Sequence, residues 1–249
     1  MAFHKYLTFS FDDGLEQDKK LIKLMKKYGL KGTFNLNAGL FGKRDWVGRI
    51  GNIGFKEYEA PGNHGIIKTV EHFRIPKDEI RQVYEGFEVA SHAYRHEALP
   101  GLKADRFDEV LGRDIDELSE LVGYQVAGHA FPGGMSSKEA RVYLKERGIL
   151  YGRGAFSNGK FTFPEEPINY SPSCSIKDKN VLTLFDKFLA SDTENEDLLF
   201  YVWGHGYEMD YGTARASEEA FEKVFNYLAG HEDVIYCTNK EAFMHISKN

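Results

Sequence analysis

Two adjacent carboxylates, Asp12 and Asp13, close the stretch LTFSFDDG. Neighbouring carboxylates repel unless a cation sits between them. The pair therefore reads either as a polar turn with a helix cap or as part of a cation site. A second cluster, SHAYRHEAL, sets His92 and His96 four residues apart, a spacing that on a helical turn places both rings on one face. Imidazole is the commonest protein ligand for zinc-like ions, and two histidines with one carboxylate leave positions open for water. Taken alone, the same spacing also fits a strand-end histidine followed by a surface one.

These residues need elements to bring them together. Leu7, Phe9 and Phe11 alternate with Thr8 and Ser10, so residues 6–11 read as a strand that runs into Asp12. The segments KGTFNLN, FEVASH, YQVAGHAFP, GILYGRG, LLFYVWGH and DVIYCT also read as strands. Helical patterns stand between them, including residues 103–123 with Phe107, Val110, Leu111, Ile115, Leu118 and Leu121 on one stripe. Strand–helix alternation implies a mostly parallel sheet with helices outside. Asp12-Asp13-Gly14, His92, Pro132-Gly133-Gly134 and His205 all fall at the C-terminal ends of expected strands. In an α/β barrel that end is the functional face, so a barrel is favoured over an open sheet.

Bulk properties restrict the function. The chain has 249 residues, 42% hydrophobic and 14% aromatic, enough for a sizeable core. Net charge is −6 without long blocks of one sign, which argues against a nucleic-acid partner. No apolar run approaches the ~20 residues of a membrane helix. The start, MAFHKYLTFSF, shows no leader pattern, and Cys174 and Cys237 suggest neither a disulfide framework nor a metal pair. A cytoplasmic protein is expected. No linker divides the chain, so residues 1–249 read as one catalytic domain, with an irregular insertion at about 40–75 carrying its own hairpin.

In this order, TFSFDDG, SHAYRH, FPGG and WGH resemble the polysaccharide deacetylase family (carbohydrate esterase family four), from about residue 6 to about residue 207. The resemblance implies a distorted (β/α) barrel with about seven strands. It also implies a metal-dependent deacetylase acting on N-acetylated sugars. Carried over by position, Asp13, His92 and His96 are the metal ligands, Asp12 the general base and His205 the general acid. Gly133, after Pro132, supplies a backbone N–H to the oxyanion. The ion would be divalent, with zinc favoured over cobalt, nickel or manganese.

Two departures from the family pattern stand out. Ala130 occupies the place of an arginine expected to pair with the catalytic aspartate, and LYGRGAFSNG lacks the usual aspartate and groove tryptophan. Arg153 and Glu208 are the candidate replacements beside Asp12 and His205. Tyr207, beyond its strand end, is a candidate substrate contact, whereas Trp203, Tyr151 and His129 read as structural. His64, in the insertion, has no spacing that assigns it a role.

Other functions compete with deacetylation of a sugar. One is hydrolysis of another small C–N bond, such as a cyclic amide, and another is a non-catalytic metal-binding homologue. An iron oxygenase uses a similar triad, but such sites usually sit on antiparallel β folds, unlike this alternation.

Overall fold

The computed structural model describes residues 3–44, 57–59, 66–68 and 72–246. Strands and helices follow one another as β1 (Lys5–Asp12), α1 (Asp18–Lys27), β2 (Thr33–Leu36), β3 (Glu57–Glu59), β4 (Ile66–Lys68), α2 (Ile80–Val83), β5 (Glu88–Ser91), α3 (Arg113–Val122), β6 (Gly128–Ala130), α4 (Lys138–Glu146) and β7 (Tyr151–Arg153). Then come β8 (Cys174–Ser175), α5 (Val181–Ala190), β9 (Leu198–His205), α6 (Glu218–Leu228), β10 (Val234–Tyr236) and α7 (Asn239–Ile246). β3 and β4 form an antiparallel pair. The other strands pair in parallel, in the order β7-β6-β5-β2-β1-β9-β8, with β10 beside the start of β1.

The sheet curls until its two edges meet. Gly154 N–H donates to Tyr170 C=O at 2.9 Å, and Tyr170 N–H donates to Gly152 C=O at 2.8 Å. Three residues on, Ser173 N–H donates to Tyr201 C=O of β9 at 2.9 Å. The stretch into β8 thus bridges β7 and β9, giving the distorted barrel of about seven strands that the sequence implied.

Alternation along β1 decides what each side of the wall holds. Phe9 and Phe11 point outward and meet Phe225 of α6 with ring centroids at 5.3 and 6.5 Å. Thr8, Ser10 and Asp12 therefore face the barrel interior, which is unusually polar. α7 closes its lower end: Asn239 accepts from Thr8 Oγ1 at 2.7 Å and donates to Tyr201 Oη at 2.6 Å, and Lys240 N–H donates to Glu88 at 2.8 Å. Access to the polar interior is left to the upper end, where the strands finish.

Two local differences from the sequence reading have physical causes. The helix expected over 103–123 is a 3-10 turn at Ala104–Arg106, a wide π-type turn at Asp108–Gly112 and then α3, which stops at Gly123 with φ +80°. Inside the wide turn, Val110 C=O accepts Tyr94 N–H at 2.8 Å, so the loop carrying the two histidines is pinned to this distortion. β8 and α5 lie where no element was expected. β8 is only a pair of residues, whereas α5 buries Val181, Phe185 and Phe188 at helical spacing.

Candidate active site

The register of the sheet places the candidate groups side by side. Asp12 is level with Asn35 of β2 and His205 of β9, and Ala130 is level with Arg153 of β7. Immediately after β1 the chain turns at Asp13, whose φ is +86°. Its N–H donates to Asn35 C=O at 3.0 Å. This left-handed turn directs the Asp13 carboxylate away from that of Asp12 and toward the histidine loop.

Asp13 Oδ1 lies 3.8 Å from His92 Nε2 and 3.7 Å from His96 Nε2. One ligand atom from each of the three residues falls within 4.8 Å of the others. The two histidines do not sit on a helical turn, contrary to the sequence reading. They converge through a tight loop in which Ala93 (φ +61°) and His96 (φ +60°) are both left-handed. His92 Nδ1 is 2.7 Å from Ala130 C=O, so Nδ1 carries the proton and Nε2 presents a lone pair. Burial, helped by the neighbouring His96 ring, pushes the His92 pKa well below the usual value, and the ring is neutral. Burial alone would raise the Asp13 carboxyl, but Arg74, and after it His205, outweigh it and hold its pKa down. His92 Nε2 is buried without a hydrogen-bond partner, and Asp13 Oδ1 is buried and accepts no hydrogen bond, with the Arg74 guanidinium ion-paired to it at 3.5 Å. An orphaned acceptor such as His92 Nε2 is costly, and a cation bound between it and Asp13 Oδ1 satisfies it. The donor set fits a divalent ion.

Asp12 has a different environment. Its Oδ1 is ion-paired with Arg153 Nη2 and accepts from Asn35 Nδ2 at 2.8 Å. Arg153 Nε also donates to Ser10 Oγ at 3.1 Å. Arg153 is 1% exposed, so the pair is sealed from water. Arg153, level with Ala130 on the adjacent strand, is the residue that reaches Asp12. Asp12 Oδ2, 3.9 Å from His92 Nε2, is the carboxylate oxygen turned toward the Asp13–histidine cluster.

His205 completes the group. Its Nε2 is 3.9 Å from Asp13 Oδ2, and its Nδ1 is 3.3 Å from Glu208 Oε1. Glu208 is buried and also ion-paired with Lys177, so it is not the solvated loop carboxylate that its position allowed. Burial alone would raise its pKa, but His205 and Lys177 hold it down at about 2. Burial would likewise depress His205, yet Glu208 overcomes this and raises its pKa.

The remaining candidates divide clearly. Pro132 is buried, and Gly133 follows it, exposed and left-handed at φ +66°, just beyond the strand whose Ala130 supports His92. Tyr207 is buried, with its ring 4.8 Å from His205 and 4.4 Å from His72, which leaves little ring face for a substrate. Trp203, expected in the core, is half-exposed. Its ring lies 5.2 Å from the Arg153 guanidinium and 5.5 Å from His205. The signal was available, because residues 203 and 205 share one face of a strand. Tyr151 is core, bonded to Glu88 at 2.8 Å, and His129 is fully buried, with burial pushing its pKa down to about 3. His64 lies outside the described residues.

Sequence reasoning missed four supporting groups. Asn35 fixes Asp12, and Asp114 accepts from Ala38 N–H at 2.7 Å, Ser91 Oγ at 2.7 Å and His92 N–H at 3.2 Å. Arg74 and Asn37 stand beside Asp13 and the histidine loop. None belongs to a recognisable spacing.

Several solved structures share this fold. A Puue allantoinase superposes with a TM-score of 0.64 at 14% identity, covering 99% of this chain and 91% of that one. The peptidoglycan deacetylase PdaC from Bacillus subtilis gives 0.54 at 16% identity, covering 98% and 92%. A family 4 acetyl xylan esterase from Clostridium thermocellum, in complex with a cobalt ion, gives 0.55 at 12%, covering 97% and 92%. Among curated proteins no match is found. The sequence model of the polysaccharide deacetylase family matches residues 3–152, more than half of the 249. That stretch holds Asp12, Asp13, His92 and His96, and the chain belongs to the polysaccharide deacetylase family.

Proposed function

We propose that the protein removes acetyl groups from the nitrogen of an N-acetylated sugar or oligosaccharide, using a divalent ion held by Asp13, His92 and His96. The observation that carries this reading is the convergence of Asp13 Oδ1, His92 Nε2 and His96 Nε2, with one ligand atom from each residue within 4.8 Å of the others, set between Asp12 and His205. Three N/O ligands with open positions suit zinc best. When bound, such an ion polarises the acetyl carbonyl and makes water more acidic.

The side chains have distinct tasks. Asp12 Oδ1 is occupied by Arg153 and Asn35, so Oδ2 takes the proton from the attacking water. The Gly133 N–H is the donor that the family resemblance assigns to the developing oxyanion. His205, protonated and steadied through Nδ1 by Glu208, gives its Nε2 proton to the leaving nitrogen. The C–N bond breaks, and the products are a free amine and acetate. Trp203, half-exposed beside His205, offers a ring face to a sugar.

Acetate release from N-acetylglucosamine oligomers, with and without a chelator, tests the reading. Release is expected to vanish on chelation and return with added zinc. Release that ignores the chelator removes the ion from the mechanism. Failure on every N-acetylated sugar favours the second reading, hydrolysis of another small amide, for which the allantoinase that shares this fold suggests cyclic amides as substrates to assay.

The His205–Glu208 contact gives a separate test. Because Glu208 raises the His205 pKa, Glu208→Gln moves the alkaline limb of the kcat/KM profile to lower pH. That limb reports loss of the His205 proton in the free enzyme. A limb that stays in place takes the acid role away from His205.

A further inference from the structure

We infer that Arg74 and Asn37 form a bracket that sets the separation between Asp13 and the histidine loop, and that this bracket, rather than the charge of Arg74, determines how tightly the site holds its ion. The inference rests on reading Asp13, His92 and His96 as a cation site.

Asp13 follows β1 and His92 follows β5, and β2 lies between those strands. The sheet holds only the first residue of each loop, Asp13 N–H donating to Asn35 C=O at 3.0 Å and His92 N–H to Leu36 C=O at 2.9 Å. Asn37, one residue past β2, is 1% exposed and sits between them. Its Nδ2 donates to the carbonyls of His92 and Ala93, the latter at 2.7 Å. Its Oδ1 accepts from Arg74 Nη1 at 2.6 Å, and the same Arg74 nitrogen donates to the carbonyl of Asp13. A continuous path of hydrogen bonds therefore runs from the Asp13 backbone to the His92–Ala93 backbone. It grips two of the left-handed residues, Asp13 and Ala93, at their own carbonyls.

Arg74 is itself held on several sides. It is 3% exposed and forms an antiparallel bridge with Leu15. Its N–H donates to Lys43 C=O at 2.9 Å, and on either side Phe73 C=O accepts from Glu16 at 2.8 Å and Ile75 N–H donates to Gly14 at 3.0 Å. The chain returning from the 40–75 segment is thus laced to the loop between β1 and α1, and it delivers the guanidinium to the base of the site.

The charge of Arg74 works against a cation. Nη2 lies 3.5 Å from Asp13 Oδ1, the same oxygen that faces both histidines. If charge were all that Arg74 supplied, removing it would tighten ion binding. The bracket predicts that keeping the charge but shortening the side chain by one atom loosens binding, because the lysine nitrogen falls short of the position from which Nη1 bonds both Asn37 Oδ1 and the Asp13 carbonyl.

The experiment titrates cobalt(II) into metal-stripped, full-length protein and reads the visible absorption of the bound ion. Outer residues that orient metal ligands typically change affinity by 10- to 100-fold. Arg74→Lys and Asn37→Ala are each expected to weaken cobalt binding by roughly that factor. The double variant should lie close to the weaker single, since both break one path. Thermal melts of the metal-free proteins accompany the titration, and a change in affinity must appear in variants that remain folded. If Arg74→Lys does not fold, Asn37→Ala decides. Folded variants that bind cobalt within about twofold of the parent overturn the bracket, as does tighter binding. A parent protein that binds no cobalt, or an Asp13→Ala variant that binds it equally well, overturns the cation site and the bracket with it.

Discussion

Asp12→Asn is expected to lower the turnover of acetate release by about 10²- to 10⁴-fold, the usual contribution of a positioned general base. The amide is nearly the same size but cannot take a proton from water. Cobalt or zinc affinity should change far less, because the proposed ligand atoms belong to Asp13, His92 and His96. The measurement is steady-state acetate release alongside a metal titration of the same preparation. A variant that loses its ion together with its activity would make Asp12 a ligand. One that keeps full turnover would pass the base role to another group.

Arg153→Met is expected to destabilise the fold by about 3–5 kcal/mol, the cost of stranding one member of a buried ion pair. Methionine fills much of the arginine's length, so the loss isolates charge and hydrogen bonding rather than volume. Arg153 and Asp12 are 1% and 3% exposed, so bulk solvent compensates little for the lost partner. Ser10 Oγ loses the Arg153 Nε donor at the same time. Denaturant unfolding measures the loss directly. In protein that still folds, turnover should fall while metal content stays intact. A midpoint shift worth less than about 1 kcal/mol, the range of exposed pairs, would mean that the buried pair does not support the barrel.

What was legible in the sequence, and what was not, follows from how each residue is placed. Asp12, Asp13, His92 and His205 each close a stretch with clear strand patterning, and a parallel barrel gathers strand ends whatever the details between them. Arg153 required more. Its partnership with Asp12 depends on the β6–β7 register, which sets it level with Ala130 and lets it reach Asp12. Registers between neighbours are written in no local pattern. Arg74 and Asn37 were invisible for a related reason, since their hydrogen bonds go to backbone carbonyls, which every residue carries. The expectation of a helical turn at His92–His96 failed because spacing reports which residues can meet and not which backbone makes them meet. Glu208 could be approached from sequence only as a carboxylate three residues past a histidine. Its burial beside Lys177 is a tertiary fact.

Among the described residues, the non-glycine residues with left-handed backbone are Asp13, Ala93 and His96. A side chain in that conformation costs of order 1–3 kcal/mol, and glycine relieves it. Selection for persistence of the fold alone would therefore favour glycine at 96, which would erase a proposed ligand, whereas glycine at 13 would also strand the buried Arg74. A thermostabilised descendant obtained by screening for heat resistance without an activity screen would tend to lose its chemistry at position 96 first. Any engineering of this barrel toward robustness has to hold Asp13 and His96 fixed and seek its gains elsewhere.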